Sequence, residues 1–99
     1  MTVYAIAQGS ITDRDAFNLY LEKSGPTLLA YGVRLLAVDE TPTAEEGELD
    51  HPRTVILSCE SAEAFYRWYD SPEYQDITHL RKDNTEGTLV CVDEFVMPG

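Results

Sequence analysis

Ninety-nine residues leave room for a single domain, residues 1–99, that buries roughly two-thirds of its unfolded surface. Hydrophobic residues at 43% and charged residues at 25% exclude disorder and fibrous repeats, and no apolar run approaches the ~18 residues of a membrane span. Eighteen acidic against seven basic residues give a net charge of -11, a field that repels nucleic-acid backbones and anionic lipid headgroups, so no nucleic acid and no membrane partner is expected. Residues 1–7 carry no basic leader region, and a cytoplasmic location is expected.

Four apolar, β-branched runs, residues 3–7, 33–38, 54–59 and 88–96, are predicted strands. After the first, Thr12 and Asp15 form a T-x-x-D capping signature, and Phe17, Tyr20 and Leu21 recur at helical spacing. Ser24-Gly25-Pro26 is predicted to interrupt this helix, with residues 27–30 restarting as a short segment that ends at Gly32. Residues 39–52 hold Asp39, Glu40, Glu45, Glu46, Glu48 and Asp50 and no lysine or arginine, which predicts a solvated loop. Their spacing does not fit a calcium loop, and no metal is expected. Downstream, Ser61 can cap a helix with Ala62, Phe65, Trp68 and Tyr69 on one face. Ser71-Pro72-Glu73 repeats that start signal, with Tyr74, Ile77 and Leu80 spaced behind it. The order β-α-β-β-α-β predicts an α+β fold: a ferredoxin-like plait, a four-stranded antiparallel sheet with two broken helices on one face.

The runs 3–7, 35–38, 55–57 and 89–92 are apolar on both faces of their strands. A sheet covered by helices on one side then needs cover on the other, and a second copy of the chain, in a homodimer, supplies it. Cys59 and Cys91 fall on strands that flank the first, about 9 to 10 Å apart at ~4.8 Å per strand step. That spacing predicts free thiols, both slow to react in the folded protein.

Several segments are similar to the domain of unknown function 1330 family of the dimeric α+β barrel superfamily. Trp68-Tyr69-Asp70-Ser71-Pro72-Glu73-Tyr74-Gln75 resembles the family's most recognisable stretch, and Leu80-Arg81 follows at the usual distance. Glu46-Gly47 with Arg53-Thr54-Val55-Ile56 resembles its hairpin, and Tyr31-Gly32-Val33-Arg34 its approach to the second strand. The resemblance implies the ferredoxin-like protomer, a homodimer, and relatives that include cofactor-independent monooxygenases and lactone isomerases. Two departures alter the rim of any pocket. Val38-Asp39-Glu40 stands where family members commonly carry Arg-Gly-Gly, and Leu49 and Cys59-Glu60 replace residues that are aromatic or proline there.

The chemistry-bearing residues narrow the reading further. No G-x-S-x-G elbow accompanies Ser71, His51 and His79 read as surface residues, and the cysteines lack a C-x-x-C partner. An RNP-like basic aromatic strand is also missing. What stands out is Trp68, Tyr69 and Tyr74, which with Arg34 and with Arg53 can line a cleft between the second helix and the sheet. Such a wall suits a small planar, anionic or enolic ligand, although the same aromatics also read as ordinary packing. The expected function is binding of a small organic metabolite there. The alternative is a cofactor-independent enzyme, monooxygenase- or isomerase-like, on a small planar or enolic substrate. No cofactor is expected, and no residue is assigned as catalytic.

Overall fold

A computed structural model describes residues 1–99. The elements run β1 (Val3–Ile11), α1 (Arg14–Ala30), β2 (Arg34–Asp39), β3 (Arg53–Cys59), α2 (Ala62–Tyr69), α3 (Pro72–Gln75), α4 (Thr78–Lys82) and β4 (Thr85–Asp93). The strands form one antiparallel sheet in the order β2-β3-β1-β4, which is the ferredoxin-like plait. No helix is long and apolar enough to cross a membrane.

Local chemistry accounts for the helix boundaries. Asp13, one residue past the Thr12 expected to cap, accepts a hydrogen bond from the Ala16 amide at 3.1 Å and starts α1. Thr12 instead donates its amide to Asn84 O at 2.8 Å. Against expectation, α1 runs unbroken through Ser24-Gly25-Pro26. Gly25 has no Cβ to clash with the Pro26 ring, and the hydroxyls of Ser24 and Thr27 donate back to the carbonyls of Leu21 and Ser24 at 3.4 and 2.7 Å. The helix ends in a Schellman turn, with Val33 N bonded to Leu28 O, Gly32 N to Leu29 O, and Gly32 at a φ of 69°. In the second half, Ser61 caps α2 through the Ala64 amide. Ser71 joins two helices, since its hydroxyl donates to Trp68 O at 2.7 Å and accepts from the Tyr74 amide at 3.2 Å. A further break at Ile77, which has no side-chain cap, divides α3 from α4.

Register assigns each strand residue to a face. Cys59–Val3, Leu57–Ala5–Cys91, Val55–Ala7–Leu89 and Arg53–Gly9–Gly87 form the rows beneath the helices. The rows Ser58–Tyr4–Val92, Ile56–Ile6–Val90 and Thr54–Gln8–Thr88 lie on the opposite face. Val3, Ala5, Leu57 and Cys59 are buried with Val33, Phe65, Trp68, Tyr74 and Ile77 in one core. The molecule is only 15 Å thick, two layers, so the far sheet face is bare and Val90 and Val92 are exposed there.

Three expectations are corrected. The strand expected over 88–96 begins earlier, at Thr85, and stops at Asp93, leaving Phe95, Val96 and Met97 exposed. Glu40 is not simply solvated, because it pairs with Arg14 across from the loop. The two cysteines are free and flank β1, but only Cys59 is buried, because Cys91 lies on β4, at the edge of the sheet.

Candidate functional site

Between α1, the α2–α3 joint and the sheet lies a cavity of about 180 Å³. Phe17, Tyr20, Leu21, Ser24 and Leu28 of α1 form its roof, and Ala7, Leu35, Val55, Leu57 and Leu89 its floor. The helices do not pack solidly on the sheet here because Ala7, Ser24 and Gly25 are too small to fill the layer between them.

Trp68 and Tyr74 close one wall, each almost fully buried, with ring centroids 4.1 Å apart. The Trp68 indole nitrogen donates to Thr27 Oγ1 at 3.0 Å, which fixes the ring against α1. At the end of the wall the hydroxyls of Tyr20 and Tyr74 share a 2.7 Å hydrogen bond, and Arg81 Nε donates to the Tyr74 hydroxyl at 3.3 Å. Burial, reinforced by Tyr74, pushes the Tyr20 phenol far above its ordinary range and keeps it neutral. Burial opposes the charge on Arg81, but Tyr74, Tyr20 and Tyr69 outweigh it and hold its pKa above the usual value.

Arg53 closes the opposite end. Its guanidinium lies over the Phe17 ring, 4.9 Å from the centroid. Its Nε is buried without a hydrogen-bond partner, the nearest carboxylate oxygen being that of Glu40 at 3.9 Å. Burial lowers the Arg53 pKa, and Glu40 only partly offsets this. A second cavity of about 190 Å³ adjoins the first and shares Ala7, Phe17, Arg53, Arg81 and Leu89 with it, and the adjoining pair is called the trough. The inner part holds no histidine or carboxylate, so it offers hydrogen-bond donors and positive charge but no ordinary general base.

Of the five residues named from sequence for this cleft, the structure brings together three, Trp68, Tyr74 and Arg53. Tyr69 stands just outside, half-buried, stacked on Phe65 at 5.4 Å and 5.7 Å from the Tyr74 ring. Arg34 does not reach the cleft: it pairs with Ser58, between the inward-facing Leu57 and Cys59, and therefore projects from the opposite sheet face. Arg53, two places along β3 from Val55, is the guanidinium on the correct face. Tyr20 and Arg81 were not assigned to the cleft from sequence; Arg81 reaches Tyr74 from α4, across the break at Ile77. His51, hydrogen-bonded to Ser10 Oγ at 3.0 Å, and His79 both lie outside the cavity.

Solved structures with the same fold have little sequence in common with this chain. A protein of unknown function from Rhodopseudomonas palustris superposes with a TM-score of 0.81 at 15% identity, over 97% of this chain and 84% of that one. SnoaB, a cofactor-independent oxygenase from Streptomyces nogalater, gives 0.66 at 9% identity, over 97% and 95%. An ethyl tert-butyl ether (ethd) family protein from Bacillus halodurans gives 0.65 at 18%, over 96% and 100%. No curated protein matches the chain. The likenesses establish the α+β barrel protomer and nothing about a reaction. The family model for the domain of unknown function DUF1330 matches residues 2–95, nearly the whole length, and the chain belongs to that family.

Proposed function

We propose that the protein binds a small planar organic molecule in this cleft and works as a homodimer closed through the bare sheet face. One observation carries the binding reading: a largely apolar cavity whose aromatic wall ends in the linked hydroxyls of Tyr20 and Tyr74 and the Arg81 guanidinium. A mostly apolar pocket with a few convergent polar groups is the usual form of a ligand site. A ring packed on Trp68 and Tyr74, with Tyr69 backing the wall, would present an enolic or other electron-rich oxygen to those donors. The dimer reading rests on Tyr4, Ile6, Ile56, Val90 and Val92, an apolar patch on one face of a two-layer molecule. A cytoplasmic, reducing compartment suits its two free thiols.

The same convergence favours a second reading, a cofactor-independent enzyme in which the donors stabilise an enolate as it forms. The shared fold with the oxygenase SnoaB is consistent with it. The lack of a histidine or carboxylate in the inner cavity favours binding over catalysis.

Trp68 is the chain's one tryptophan and lines the cleft, so its emission reports occupancy. Titration with 3-phenylpropanamide should give a saturable change in the wild type. Ala7→Leu grows a side chain from the floor into the cavity and should abolish that change without lowering the unfolding midpoint. A wild type that shows no saturable change with either this amide or the corresponding carboxylate refutes the binding reading. Light scattering tests the dimer, and a monomeric mass at micromolar concentration would sink it.

A further inference from the structure

The outer half of the trough differs in kind from the aromatic half. Its floor is the directly paired Gly9 and Gly87 of β1 and β4, in the same row as Arg53. A Cβ on Gly87, whose φ is 150°, would stand 2.0 Å from Gln8 O and one on Gly9 3.2 Å from Glu86 O, so the close approach of the two strand backbones requires glycine here and leaves this floor without side chains. Around that floor stand Arg53, Arg81 and Lys82. They are three of only seven basic residues in a chain of net charge -11. The one acid in the lining, Glu86, adjoins Gly87 and so alternates toward the other sheet face. Arg53 Nε remains without a hydrogen-bond partner.

Resting on the binding reading above, we propose that the trough takes an elongated amphipathic acid. Its apolar body lies against Trp68 and Tyr74, and its anionic oxygen head sits over the Gly9–Gly87 floor among Arg53, Arg81 and Lys82. The glycine floor admits the head close to the backbone, and the cations neutralise it where the surrounding field of the chain is negative. Arg53, shared by both halves, is the point at which body and head meet, with a planar fork matched to a carboxylate.

The test compares 3-phenylpropanoate with 3-phenylpropanamide, which share a body and differ in head charge, by Trp68 emission in the intact protein. The acid should bind about tenfold more tightly than the amide, and added salt should narrow the gap. Lys82→Gln, at an exposed position outside the core, should weaken the acid several-fold and leave the amide unchanged. Equal affinities for acid and amide, or a Lys82→Gln variant that loses both alike, overturn the anionic head site while the cleft itself stands. Failure of both probes to bind refutes the cleft reading instead.

Discussion

Replacing Tyr74 by phenylalanine removes a single oxygen from the centre of the cleft and tests its hydrogen-bond geometry. The ring is 1% exposed and keeps its contacts with Trp68 and Tyr20 after the change, so no packing cavity is created. What is lost is the 2.7 Å bond to the Tyr20 hydroxyl and the acceptor for Arg81 Nε at 3.3 Å. Each buried polar group left without a partner costs about 1–3 kcal/mol. The cavity beside them can admit water and recover part of that. The net loss of stability should therefore be about 2 kcal/mol. Urea unfolding followed by Trp68 fluorescence, at one fixed protein concentration because a dimer's stability depends on it, reads this as a lower midpoint at unchanged slope. Tyr69→Phe is the control: its half-buried hydroxyl makes no hydrogen bond within the protein, and its midpoint should match the wild type. A Tyr74→Phe midpoint equal to that of the wild type would refute the Tyr20–Tyr74–Arg81 arrangement.

Trp68→Ala should cost about 3–5 kcal/mol, since it empties a core position and leaves Thr27 without its indole donor, as chemical denaturation followed by circular dichroism would show. Stability should fall as pH drops below the ordinary carboxylate value of 4.5. The Arg14 bond holds Glu40 below it, and backbone amides at the helix starts do the same for Glu63 and Glu73, so the fold favours their ionised forms and loses that contribution as they protonate. At the alkaline end stability should decline above pH 10.0, because the unfolded chain ionises a Tyr20 that the fold keeps protonated. A denaturation series across pH checks both limbs. Cys91 should react with a thiol reagent in the folded protein and Cys59 only on unfolding, and mass spectrometry of partly labelled protein separates the two.

The features legible in the sequence were those decided within a few residues. Ser61 and Ser71 announce their helices because a cap bonds an amide three residues on, and Gly32 announces the end of α1 for the same local reason. What escaped was set by distant partners. Gln8, Gly9 and Ser10 interrupt the apolar run of β1 before Ile11, so no such run marks residues 8–11, yet they complete the ladder with β4. Residues 94–96 are partly apolar, but β1 begins at Val3 and the last bond of that ladder is Glu94 N to Thr2 O. That Arg53 reaches the cleft and Arg34 does not has the same origin. Strands apolar on both faces give no sign of which parity points toward the helices, and β2 also shifts register between Leu35 and Ala37. The aromatic wall was readable as a stripe, whereas its polar end joins Tyr20 to Tyr74 across 54 positions of chain.

A crystal structure grown with saturating 3-phenylpropanoate tests the central claim most directly. The expected result is the phenyl ring against Trp68 and Tyr74, with the carboxylate over the Gly9–Gly87 floor within hydrogen-bonding distance of Arg53. A cleft left empty at saturation, or collapsed with Leu28 and Leu89 in contact across it, would contradict the claim.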